Sequence, residues 1–84
     1  MDREIRELID ILLRSVAQDE GFARDLAELA YQLGEEGRAT AARGMLDLSR
    51  RHQIKGMEGR ARIFALADRY GQSYDHPPSS APSL

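Results

Sequence analysis

His52, Lys55 and Gly56, in the stretch H-Q-I-K-G, are the residues of this sequence best placed to do chemistry. Near neutral pH an imidazole can accept a proton, donate one, or attack as a nucleophile. The same ring can equally sit half-buried in a core or a dimer seam, where either nitrogen finds a hydrogen-bond partner. The second histidine, His76, lies 24 residues further on, beside Pro77 and Pro78. There is no cysteine. Two histidines so far apart fit no usual ligand spacing, so neither a metal nor a cofactor is expected.

Phosphate binding is the next candidate. Arg43, Arg50, Arg51, Lys55, Arg62 and Arg69 are expected along a helix, opposite its apolar stripe. Such a row could follow a nucleic-acid backbone. Asp47, Glu58 and Asp68 interrupt it, and Asp47–Arg51 and Glu58–Arg62 have the i,i+4 spacing of a solvated helix face. The sequence pI of about 5.6 also argues against a nucleic-acid partner. Hydrolytic or acid–base catalysis finds no support. Ser15, Ser49 and Ser73 stand in no nucleophile motif, and the carboxylates are spread over solvent faces.

Helices must position all of these residues. Residues 1–70 contain no proline and few β-branched side chains, a helical composition. A first helix is expected from Asp2 to Ala17. Its apolar residues Ile5, Leu8, Ile9, Ile11, Leu12, Leu13 and Val16 cover an arc of roughly 200°. A helix lying on one neighbour needs about 100°. A second helix is expected from Glu20 to Glu36, with Asp19 as N-cap. Phe22, Leu26, Leu29 and Leu33 form its stripe, and Gly34 and Gly37 bracket the turn that ends it.

From Ala41 the apolar face continues through Met45, Leu48, His52, Gly56, Gly59, Ile63, Leu66 and Tyr70, in steps of three and four. No Ser, Thr, Asp, Asn or Pro between Gln53 and Arg60 supplies a fresh N-cap. The spacing therefore predicts one long third helix over 38–70, bent at its glycines. The alternative is a break at Gly56, which would give a four-helix bundle.

H-Q-I-K-G resembles the His-x-x-Lys-Gly core of histidine phosphotransfer domains over about eight residues. The resemblance implies that His52 carries a phosphoryl group and that Lys55 favours it electrostatically. It implies that Gly56, continued by Gly59, clears room for a response regulator. Residues 26–49 also resemble, loosely, the helical hairpin of a tetratricopeptide repeat. Leu26, Leu29, Ala30, Leu33, Gly37, Ala42, Leu46 and Ser49 fall at its large-small-turn-small spacing. That resemblance implies close antiparallel packing, with Ala30 and Ala42 letting two helices approach.

The net charge of −2 hides an asymmetry: residues 1–37 carry −6 and residues 38–69 carry +5. Such halves suggest pairing with each other, or two faces offered to different partners. A chain of 84 residues buries only roughly 60% of its unfolded surface. Without disulfide or metal, self-association is the staple left. No apolar run suits a signal peptide or a membrane span, so a cytoplasmic protein without membrane contact is expected. Residues 71–84 hold all three prolines and read as a flexible Pro/Ser-rich tail behind a helical domain of residues 1–70.

The expectation is thus an all-α protein of two amphipathic helices and one long third helix. It would be non-enzymatic, acting by protein–protein contact as a homodimer or as a subunit, adaptor or regulator of a larger assembly. Two helices of about 16 residues reach only half the ~50 Å of the third. Ile63, Leu66 and Tyr70 should then project beyond the intramolecular core. With Ile5, Ile9, Leu12 and Leu13 they would form the interaction face. A phosphorelay protein using His52 and a nucleic-acid-binding regulator using the basic row are the alternatives.

Overall fold

In the computed structural model, which describes residues 2–71, the chain is one antiparallel helical hairpin. Helix α1 spans Arg3–Glu35 and helix α2 spans Ala39–Leu66. The chain then winds through one π-helical turn, Ala67–Gly71. The Pro/Ser-rich tail lies, apart from Gly71, outside the described residues.

The ends of α1 follow from local chemistry. Asp2 caps its start, accepting the Glu4 amide at 2.7 Å. Its end is a Schellman turn. Gly37 takes φ +80°, the Arg38 amide donates to the Leu33 carbonyl at 2.9 Å, and the Gly37 amide donates to the Gly34 carbonyl at 3.0 Å. A left-handed residue here reverses the chain in three residues, so α2 returns alongside α1.

The side chains that α1 turns inward are Ile5, Ile9, Leu12, Val16, Asp19, Ala23, Leu26, Ala30 and Leu33. On α2 they are Ala42, Met45, Ser49, His52, Gly56, Gly59, Ile63 and Leu66. Both rows alternate strictly between steps of three and four. This 3.5-residue repeat keeps two helices in contact along their whole length. Val16, Ala23, Ala30, Ser49, Gly56 and Gly59 are the buried residues of the two helices, and none is large. Small side chains let the backbones approach closely, and they also leave little core. The two helices lie side by side, so the hairpin is one helix thick, and the 33 residues of α1 make it about 50 Å long at 1.5 Å per residue.

Three expectations need correction. The first and second helices are one helix. Nothing between Ala17 and Glu20 breaks the backbone, and Asp19 is a seam residue of α1 rather than an N-cap. Nor does the chain break at Gly56: α2 runs unbroken through Gly56 and Gly59, so the four-helix alternative fails. Finally, α1 has 33 residues to the 28 of α2. Ile63 and Leu66 do not project past a short partner; they lie half-buried in the seam, at the end that holds Ile5 and Ile9.

The seam leaves two flanks. One carries Leu13, Glu20, Ala27 and Tyr31 of α1 with Leu46, Gln53, Met57, Arg60 and Phe64 of α2. The other carries Leu8, Ile11, Ser15, Phe22 and Leu29 with Leu48, Lys55 and Arg62. Contacts across the seam follow this division. Arg60 meets Glu20 on the first flank, while Leu12, Ser15, Lys55 and Arg62 line one cleft on the second.

Candidate functional site

His52 sits at the middle of the seam, where the heptad positions of α1 and α2 place Asp19 opposite it. Its Nδ1 lies 2.9 Å from Asp19 Oδ1, and both side chains are largely covered. Phe22 packs on the ring, with centroids 5.2 Å apart and planes tilted by 57°. The carboxylate fixes one ring nitrogen and the phenyl ring limits solvent on one face. An Asp–His pair is the orienting half of a general-base arrangement. The other half would be a nucleophile in contact with the imidazole. The seam's buried hydroxyl, Ser49, instead donates to the Ala23 carbonyl at 2.6 Å. No buried side-chain nitrogen or oxygen among the described residues lacks a partner. His52 and Asp19 thus form a satisfied polar rung between the helices, a device that favours one register over its neighbours.

Gly56 and Gly59 set the closeness of the helices on the side of His52 away from the turn. A Cβ on Gly56 would lie 3.3 Å from Glu20 Cγ, and one on Gly59 would lie 2.5 Å from Val16 Cγ2. The space that the phosphotransfer resemblance reserves for a response regulator at Gly56 is filled by α1. Lys55 is exposed on the Phe22 flank, in the cleft with Ser15, Glu58 and Arg62.

Two turns beyond His52, Arg60 grips Glu20 with both arms of its guanidinium, Nε to Oε2 at 2.7 Å and Nη2 to Oε1 at 2.9 Å. This hydrogen bond, aided by the charges of Arg60 and Arg24 against a smaller desolvation penalty, holds the Glu20 carboxyl below its ordinary value. The pair is exposed, so it aligns the helices more than it stabilises them. Sequence reasoning placed Asp19 at an N-cap and Ser49 in the tetratricopeptide-like spacing, without the roles they have in the seam, and it did not find the Glu20–Arg60 pair. The available signal was the strict three-four alternation, which selects Asp19 and Ser49 as inward positions.

The six basic residues do not form one row. Arg43 and Arg50 fall on the Glu20 flank, and Lys55 and Arg62 on the other, with Arg51 on its outer edge; Arg69 lies in the π-helical turn. Arg43 lines a groove with Ala27, Tyr31 and Leu46, while Arg69 lies 5.9 Å from the ring of Tyr70. Of the apolar residues expected to form an interaction face, Ile5, Ile9, Leu12, Ile63 and Leu66 are half-buried in the seam, whereas Leu13 and Tyr70 are exposed. Large apolar side chains stand out on both flanks, with Ile11 59%, Met57 69%, Tyr31 70% and Phe64 74% exposed.

Among the described residues no group of three or more potential metal ligands occurs, and no helix is long and apolar enough to cross a membrane. Comparison with known proteins yields no matching family model, no matching curated protein and no matching solved structure.

Proposed function

We propose that this protein is non-enzymatic and acts by helix–helix contact, completing between molecules the core that the hairpin cannot complete alone. The observation that carries this reading is the thickness of the fold. Two helices side by side make a single layer, and a stable domain is ordinarily built from at least two packed layers. Leu8, Ile11, Phe22, Leu29, Leu46, Leu48, Met57 and Phe64 are exposed on it. Each contributes ~1.5–3 kcal/mol when fully buried, a large share of the 5–15 kcal/mol typical of a domain's stability. A second layer is therefore worth more to this chain than any further contact within it.

His52, bonded to Asp19 and shielded by Phe22, is assigned to holding register rather than to phosphotransfer. The division of the cations between two flanks weighs against a nucleic-acid groove. Sedimentation velocity from micromolar to submillimolar concentration tests the reading. The expected result is a mass above the 9.4 kDa of one chain and a melting temperature that rises with concentration. A monomer at every concentration, melting cooperatively at a fixed temperature, would overturn it.

A further inference from the structure

We propose that the turn-side half of the Glu20 flank is a docking site for one amphipathic helix of another protein, whose apolar stripe is bordered on both sides by acidic residues. This rests on the helix–helix reading above and adds the face and the chemistry of the partner.

The first observation is a trough between the two helices. It begins beside the turn as a cavity of about 440 Å³. A second cavity of about 550 Å³ adjoins it, and Ala27 lines both. Together they run from Gly34 to Glu20 along α1 and from Ala39 to Met57 along α2. Ala30, Ala42 and Ser49, seam residues, form the floor. Tyr31, Leu46 and Met57 are exposed and wall it with apolar surface. From Glu20 to Gly34 the trough is about 21 Å long at 1.5 Å per residue, enough for a helix of about four turns.

The second observation is the charge of its rims. The 3.5-residue repeat puts Arg24 and Tyr31 at one position of α1, and Arg43, Arg50 and Met57 at one position of α2. Arg24 lines the trough on the α1 side and Arg43 on the α2 side. Both rims therefore carry arginine beside a large apolar side chain. Glu20 is the carboxylate of this half of the flank, and Arg60 holds it. The same repeat sends Glu28, Glu35 and Asp47 to the outer edges of the hairpin, away from the seam. Among the described residues no ion pair engages Arg24, Arg43 or Arg50.

These two features select one kind of occupant. An apolar trough rewards a helix that buries side chains at i, i+3, i+4 and i+7. Cations on both rims reward carboxylates on either side of that stripe and oppose a basic partner. One docked helix also turns the single layer into two. A phosphate backbone would meet the same arginines but leave the apolar walls uncovered.

Two synthetic helical peptides test the proposal. They share one leucine stripe, bordered by glutamate in the first and by lysine in the second. In fluorescence anisotropy the glutamate peptide should bind at least about tenfold tighter, with a preference that falls as salt rises. Arg43→Glu with Arg50→Glu should abolish or reverse that preference. Ala27→Phe, at an exposed position within the trough, should weaken the glutamate peptide at least about tenfold by occupying its place. Arg51→Glu with Arg62→Glu, on the other flank, should change binding less than about threefold at physiological salt. Circular dichroism checks that each variant remains helical, and the charge swap and the filled trough decide independently should one of them unfold. Equal affinity for the two peptides, or a charge swap without effect, would overturn the proposal. Binding of a single-stranded oligonucleotide or of phosphatidylserine vesicles in place of the peptide, lost in the same charge swap, would overturn it too. A protein that self-associates but takes neither peptide sinks this proposal and leaves the helix–helix reading standing; that reading falls only on the sedimentation result.

Discussion

Val16 Cγ2 lies 2.5 Å from the point where a Cβ on residue 59 would stand. Val16 is buried and β-branched, so it has little rotamer freedom with which to retreat. Gly59→Ala must therefore push the helices apart, and should cost about 1–3 kcal/mol despite the better helix propensity of alanine. Gly44 is the counter-case. It lies inside α2, where an added methyl group would meet nothing within 4 Å, so Gly44→Ala should stabilise by about 1 kcal/mol. Two denaturant titrations check the pair. Equal effects at the two positions would show that propensity, not the approach of α1, decides.

Ser49 makes the buried hydrogen bond of the seam, its hydroxyl donating to the Ala23 carbonyl. Ser49→Ala keeps the small volume that close packing requires and removes only the bond. A loss of about 0.5–1.5 kcal/mol is expected. Ser49→Val should be worse, because it also adds bulk between the helices. A valine variant as stable as wild type would show that the seam is looser there than the geometry says.

The Glu20–Arg60 pair predicts a specific pH dependence. Arg60 lowers the Glu20 pKa from its ordinary 4.5 in the folded protein. A carboxylate with a depressed folded pKa stabilises above its unfolded pKa, and that stabilisation fades as pH falls through the folded value. The melting-temperature difference between wild type and Glu20→Gln should thus be constant from pH 7 to about 5 and shrink below the ordinary glutamate pKa. Both residues are exposed, so the difference should be small and reduced by salt. A difference that grows on acidification would contradict the assignment.

His52 offers a test between rung and relay. With Nδ1 engaged by Asp19 and the ring against Phe22, incubation with phosphoramidate should leave the protein without acid-labile phosphate. His52→Gln should lower stability without changing that result. Labelling of wild type that disappears in His52→Gln would restore the phosphotransfer reading.

The sequence carried the period of the helices better than their pairing. The unbroken passage of α2 through Gly56 and Gly59 was readable, because residues 53–60 hold no capping residue and the apolar phase never slips. The continuity of α1 was missed at Asp19. A carboxylate after a polar stretch looks like a cap, and its place in the seam makes sense only once His52, 33 positions away, stands opposite. Leu48 and Ser49 are both helical steps from Met45 and His52. Hydrophobicity favours Leu48, yet Ser49 turns inward because only a small side chain fits between helices this close. Glu20 and Arg60 are 40 positions apart. The opposite charge of the two halves announced that α1 and α2 attract but not which residues meet.

The turn at Gly37 also dictates how the chain can assemble. Contacts across the seam lie at nearly equal distances on either side of it: Ala23 with Ser49, then Asp19 with His52, then Val16 with Gly59. Once the first rung beside the turn has formed, each later rung closes only a few more residues, so the loop entropy of distant contacts is met in small increments. Assembly along this route is a zipper, in the fast regime of helical proteins with local contacts. The rungs near Ile5 and Leu66 close last and open first. Amide exchange should accordingly be slowest around Ala30 and Met45, and quicken rung by rung toward the open end.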